Sequence, residues 1–94
     1  MSKHVLVVDD EVGIRESLKL ILEKEGYAVS AASNADEAFK LMRQGGIDLL
    51  ITDIRMAGMD GVELLKLTKS ISPYTEVIMI TGYASVDSAV ESMK

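Results

Sequence analysis

Two hydrophobic rhythms alternate along this chain. Residues 5–8 (VLVV) are uniformly apolar, too short for a helix and without the polar alternation of a surface strand, so they predict a strand buried on both faces. Ile14, Leu18, Ile21 and Leu22 then recur at helical spacing and predict an amphipathic helix, which Gly26 should stop. A second strand is expected over residues 27–32. Asn34 with Glu37 three positions later has the spacing of a capping box, with Asn in place of Ser or Thr, and opens a second stripe of Ala35, Ala38, Phe39 and Met42 closed by Gly45 and Gly46. Residues 49–52 form a third apolar run, and Val62, Leu65 and Ile71 mark a third helix. After Pro73 a fourth run spans residues 77–80, and Ser85 can cap a last helix with the stripe Val86, Ala89, Val90 and Met93.

Four strand–helix units with short connections imply an α/β fold, a doubly wound parallel sheet with helices on both faces and right-handed crossovers. In such sheets ligands bind at the carboxyl ends of the strands, near the switch in strand order. Asp9 and Asp10 follow the first predicted strand, Asp53 the third and Thr81 the fourth. Residues far apart in sequence should therefore meet at one edge of the sheet. Carboxylates so gathered repel by roughly 3 kcal/mol per pair about 5 Å apart at an effective dielectric of about 20. Either they face water as ordinary solvated strand ends, or something positive belongs between them.

Composition narrows the choice. The chain has 94 residues, room for one domain over 1–94, and 48% of them are hydrophobic, enough for a globular core. A net charge of −5 with no basic block argues against direct binding of nucleic acid or an anionic membrane. The absence of cysteine removes disulfides, thiolate metal sites and thiol catalysis and fits a reducing compartment. No signal peptide or membrane-length apolar run is present. A cytoplasmic domain is expected.

Hard carboxylate oxygens without histidine or cysteine suit Mg²⁺, Mn²⁺ or Ca²⁺, and a site with few protein ligands and several waters is the usual magnesium arrangement. Asp53 could be a fixed ligand or a nucleophile that forms an aspartyl phosphate. The Thr81 hydroxyl and N–H groups after Asp53 could hold phosphoryl oxygens. Glu11 could add a metal ligand, although an acid there more commonly favours the start of a helix. His4, the sole histidine, precedes the first predicted strand and reads as idle in preference to a phosphorelay group. The six methionines read as core filler, and Tyr83 as either a gate beside the site or an exposed ring.

Three motifs, LVVDDE at 6–11, LLITDIRMAGMDG at 49–61 and VIMITGYAS at 77–85, together resemble the receiver domain of two-component response regulators, in order and spacing across the whole chain. The resemblance implies a flavodoxin-like fold with strand order 2-1-3-4-5, one of the two common orders of doubly wound sheets. It implies a signalling switch in which Asp53 takes a phosphoryl group from a phosphohistidine on a sensor histidine kinase. Asp9, Asp10, Asp53 and the backbone carbonyl of Arg55 would hold Mg²⁺, and Thr81 would be the switch hydroxyl. The wording is most similar to receivers of ATPase-type transcriptional activators.

Two departures stand out. Ala57 replaces the family's usual proline. The family's domain also continues into a fifth strand, bearing a lysine, and a fifth helix, so the resemblance implies (βα)4 with the last unit missing; Lys94, on the last predicted helix, is not that lysine. Such a domain should expose an apolar edge and self-associate through residues 77–94. As a switch it turns over no external substrate. Two other readings compete: an assembly module that has lost signalling, and an aspartate-nucleophile phosphohydrolase. The hydrolase would normally carry a D-x-D after the first strand, where this chain has adjacent acids. No G-x-G-x-x-G or P-loop supports a nucleotide site.

Overall fold

A computed structural model describes residues 3–53 and 61–80. In chain order the elements are β1 (His4–Val8), α1 (Val12–Lys24), β2 (Ala28–Ala32), α2 (Ala35–Arg43), β3 (Leu49–Asp53), α3 (Gly61–Ile71) and β4 (Glu76–Ile80). The four strands pair in parallel in the order β2-β1-β3-β4, as expected of this fold for the first four strands. The last expected helix, with Ser85, Val86, Ala89, Val90 and Met93, lies outside the described residues.

Alternation along the strands sorts the core into two faces. Leu6, Val8 and Leu50 point to one face, where they pack with Ala35, Ala38 and Met42 of α2 and Leu64 of α3. Val5, Val7 and Ile51 point to the other, against Leu18 and Leu22 of α1. On the α2 side Ala35, Ala38 and Met42 are buried, whereas no residue of α1 is.

The helix ends explain where the strands begin. After α1, Gly26 adopts φ 94°, its N–H donates to Glu23 O at 3.0 Å, and the Tyr27 N–H donates to Leu22 O at 3.1 Å. This pair of bonds is a Schellman cap, and it needs a residue without Cβ at the left-handed position. Tyr27, expected to open the second strand, spends its N–H on that cap, so β2 begins at Ala28. At the start of α2, Asn34 accepts the Glu37 N–H at 2.9 Å, while the Glu37 carboxylate reaches back to the Ser33 hydroxyl at 2.7 Å and the Ser33 N–H at 3.3 Å. The capping box is present with its return arm shifted one residue upstream.

Two expected stripes need correction. Ile21 is 58% exposed; it lies on the flank of α1, and Leu18 and Leu22 face the sheet. On α3 the buried positions are Leu64 and Thr68, one turn apart, while Val62 and Ile71 are exposed and Leu65 is only partly covered. Counting only apolar residues hid Thr68 from the stripe and shifted its axis by one position. The amino end of the sheet is stapled by Asp48, whose N–H donates to His4 O at 2.9 Å, whose carboxylate accepts the His4 N–H at 2.8 Å and whose carbonyl accepts the Glu76 N–H at 3.0 Å. His4 is therefore the first residue of β1, and its Nε2 lies 2.7 Å from Ser30 Oγ. His4, expected to precede the first strand, takes part in strand registration through its backbone.

Candidate functional site

Because β1 and β3 are adjacent and parallel, their carboxyl ends deliver Asp9, Asp10 and Asp53 to the same edge. One carboxylate oxygen from each lies within 4.8 Å of the others. Asp53 is the last residue of β3, paired in register with Ile80, and not the residue after the strand as expected from the sequence. The sheet ladder thus fixes its backbone. Asp9 and Asp53 are buried and Asp10 is exposed, so the cluster has a dry floor and a wet outer side.

Asp9 is held on three sides. Its N–H donates to Ala32 O of β2 at 3.2 Å, its carbonyl accepts from Arg15 Nη1 at 2.7 Å, and its Oδ1 accepts the Glu11 N–H at 2.9 Å. Its other carboxylate oxygen, Oδ2, is buried with no hydrogen-bond partner among the described residues. Burial pushes the Asp9 pKa above its ordinary value; the Glu11 N–H opposes this, and the charges of Asp53, Asp10 and Glu11 add to it. A buried carboxylate oxygen left without a donor is costly unless a cation satisfies it. The donor set therefore fits a hard divalent ion: oxygen atoms only, two of the three residues buried, and an open side on which such an ion keeps its waters.

Glu11 is not one of the converging acids. It is the N-cap residue of α1, and it contributes its backbone N–H to Asp9 while its side chain makes no cap bond. Arg15 is the site residue that sequence reasoning passed over. It stands three and seven residues before Leu18 and Leu22, on the helix face turned to the sheet, and a cation in that stripe is the signal that could have flagged it. Arg55, Thr81 and Tyr83, expected respectively as a carbonyl ligand, the switch hydroxyl and a gate, lie outside the described residues, as does Ala57. Among the described residues no helix is long and apolar enough to cross a membrane.

A family model described as the response regulator receiver domain matches residues 5–94. The transcriptional regulatory protein ZraR of Klebsiella oxytoca is 43% identical over 90 residues, which are 96% of this chain and 20% of that protein. This chain thus spans about one fifth of the length of such relatives. Sporulation initiation phosphotransferase F of Bacillus subtilis is 38% identical over 92 residues, covering 98% of this chain and 74% of the relative.

Among solved structures, TrrA of Thermotoga maritima in complex with Mg²⁺ and BeF has a TM-score of 0.81 and 40% identity, covering 97% of this chain and 79% of that one. TrrA in complex with the histidine kinase ThkA also has a TM-score of 0.81, at 41% identity, covering 88% of this chain and 72% of that one. The beryllofluoride-activated NtrC4 receiver domain dimer has a TM-score of 0.82 and 43% identity, covering 97% of this chain and 75% of that one. Strand order, acid cluster and family match agree: the chain belongs to the response regulator receiver domain family.

Proposed function

We propose that this receiver domain is a phosphoacceptor switch whose covalent acceptor is Asp53. The observation that carries the assignment of roles is the asymmetry within the acid cluster. Asp9 has one oxygen tied to Glu11 and the other buried without a donor among the described residues, which suits a cation ligand. Asp53, held in the strand at the floor of the same cluster, would be the nucleophile. Asp9 and Asp10, with Asp53 and the Arg55 carbonyl, would hold Mg²⁺, which when bound supplies positive charge between the acids and the phosphoryl oxygens. A carboxylate oxygen of Asp53 attacks the phosphorus of a phosphohistidine. The P–N bond breaks as the new P–O bond forms, and the imidazole leaves with the electron pair. Thr81 would then bind a phosphoryl oxygen of the product.

The partner of this step would be a sensor histidine kinase, by analogy with the TrrA complex. The domain would act in the cytoplasm, without binding nucleic acid or membrane itself, and without turnover of an external substrate. The reading takes residues 1–94 as one receiver domain, which in relatives such as ZraR belongs to a much longer protein. Self-association through residues 77–94 is supported, within the described part, by the edge position of β4 and the exposure of Ile78, and NtrC4's similar receiver is a dimer.

Incubation with a small acyl-phosphate donor and Mg²⁺, read by intact mass, tests the role of Asp53. One added phosphoryl group is expected on the chain, absent from Asp53→Asn and in metal-free buffer. Labelling that persists on Asp9 or Asp10 would place the acceptor elsewhere. Rapid release of inorganic phosphate would favour a phosphohydrolase, and absence of any labelling an assembly module.

A further inference from the structure

The unusual contact of the site is the one Arg15 makes with backbone. Its guanidinium, half-buried on the sheet-facing side of α1, donates to the carbonyl oxygen of Asp9 at 2.7 Å. That carbonyl belongs to the peptide unit joining Asp9 to Asp10. A peptide is planar, so turning it changes only ψ of Asp9 and φ of Asp10. Those two torsions set one carboxylate relative to the next. Whatever holds this carbonyl therefore sets the spacing of the two acids.

The N–H of Asp9 is already bonded to Ala32 and its Oδ1 to Glu11. We propose that Arg15 is a positioning residue for the cation site: by gripping the Asp9 carbonyl it keeps Asp9 Oδ2 and the Asp10 carboxylate directed at a common divalent ion. This role rests on reading the three acids as a cation site. Arg15 then acts at a distance from the metal, through the peptide that two ligands share.

A positive charge beside three acids has a second effect of opposite sign. As a fixed cation, Arg15 would compete with Mg²⁺ for the same negative potential, and its removal would tighten metal binding. The contact favours the geometric role: Arg15 Nη1 meets the neutral backbone carbonyl of Asp9, at 2.7 Å. Residues that orient metal ligands without touching the metal typically change affinity by about 10–100-fold.

The sign of one measurement decides between these effects. The 94-residue chain and its Arg15→Met variant are titrated with MgCl₂, following the Glu11 amide resonance, and each is melted without metal. Mg²⁺ binding about tenfold weaker in Arg15→Met supports the proposal. Tighter binding would overturn it in favour of simple charge competition. A lowered melting temperature with unchanged Mg²⁺ affinity would also overturn it, leaving Arg15 a purely structural residue. Should Arg15→Met fail to fold, Arg15→Gln also removes the charge and is judged by the same signs. A wild-type chain with no saturable response to Mg²⁺ would overturn the cation reading itself, a result distinguishable from failure of the Arg15 assignment.

Discussion

At Asp9, function and stability pull in opposite directions. A buried carboxylate facing two others, with one oxygen lacking a donor among the described residues, opposes folding whenever it is ionised and metal-free. Its folded pKa is raised above the ordinary 3.8. The stability linked to its proton is therefore full below the unfolded value and is lost as pH rises through the folded one. Asp9→Asn should accordingly stabilise the metal-free domain near neutral pH by on the order of 1–2 kcal/mol, and by progressively less as the pH is lowered toward about 4. Saturating Mg²⁺ should stabilise the wild type and leave the variant almost unmoved. Thermal melts across pH, with chelator and with Mg²⁺, check both outcomes. A variant less stable than wild type in chelator would mean that Asp9 is a structural acid. Thr68 presents a neutral version of the same strain. Its hydroxyl is buried on α3 with no partner among the described residues, so Thr68→Val should gain about 1 kcal/mol in a denaturant titration without altering Mg²⁺ binding.

Among the elements, α2 carries the most legible terminus. Asn34 caps the helix and Glu37 returns to Ser33, so one acid satisfies a hydroxyl and an N–H that would otherwise face the helix start. The Ser33 hydroxyl, helped by its N–H and by Arg15 and Lys40, holds the Glu37 pKa below its ordinary 4.5. For a lowered carboxylate the linked stability is present above the unfolded pKa and disappears as pH falls through the folded one. Glu37→Gln should therefore melt below the wild type at pH 7, and the two should converge under acid conditions. Asn34→Ala removes the cap itself and should cost about 1 kcal/mol at either pH. A Glu37→Gln deficit that stayed constant with pH would assign the effect to shape and not to charge. The α1 terminus works differently. It has no side-chain cap, and its first turn is tied to the site through Glu11 N–H and Arg15, so α1 and the cation site should loosen together.

Across the whole molecule, the two faces of the sheet are unequally covered. The α2–α3 face carries the buried cluster of Ala35, Ala38, Met42 and Leu64, whereas α1 leaves Leu20 and Ile21 largely exposed, and among the described residues β4 is the edge strand beside β3, with Ile78 47% exposed. A strand edge with apolar side chains invites pairing, and Glu76 is the only charge in β4 to discourage it. The net charge of −5 opposes approach of a second copy, but screening confines that to about 8 Å at physiological salt. If this edge associates, Ile78→Lys should weaken self-association by about tenfold, roughly 1.4 kcal/mol, in sedimentation experiments while leaving phosphoryl labelling of Asp53 intact. A monomer at high concentration for the wild type would remove the basis for that assembly.

The sequence by itself determined the order of elements, the parallel sheet and the edge at which the acids meet. Each rests on local rules: uniform apolar runs such as residues 5–8, a stripe such as Ala35, Ala38 and Met42, and a stop such as Gly26. From these, parallel connectivity alone brings Asp9, Asp10 and Asp53 together. Tertiary structure decided what depends on which polar atoms are already in use. Tyr27 left β2 because its N–H was needed by the α1 cap, and His4 joined β1 because Asp48 met its backbone. Thr68 entered the core because helix packing selects a direction and not a residue type. The partner of Arg15 and the buried oxygen of Asp9 were settled only by packing: a hydrogen bond to a backbone carbonyl leaves no mark in residue identity, and burial of a carboxylate depends on the elements packed around it.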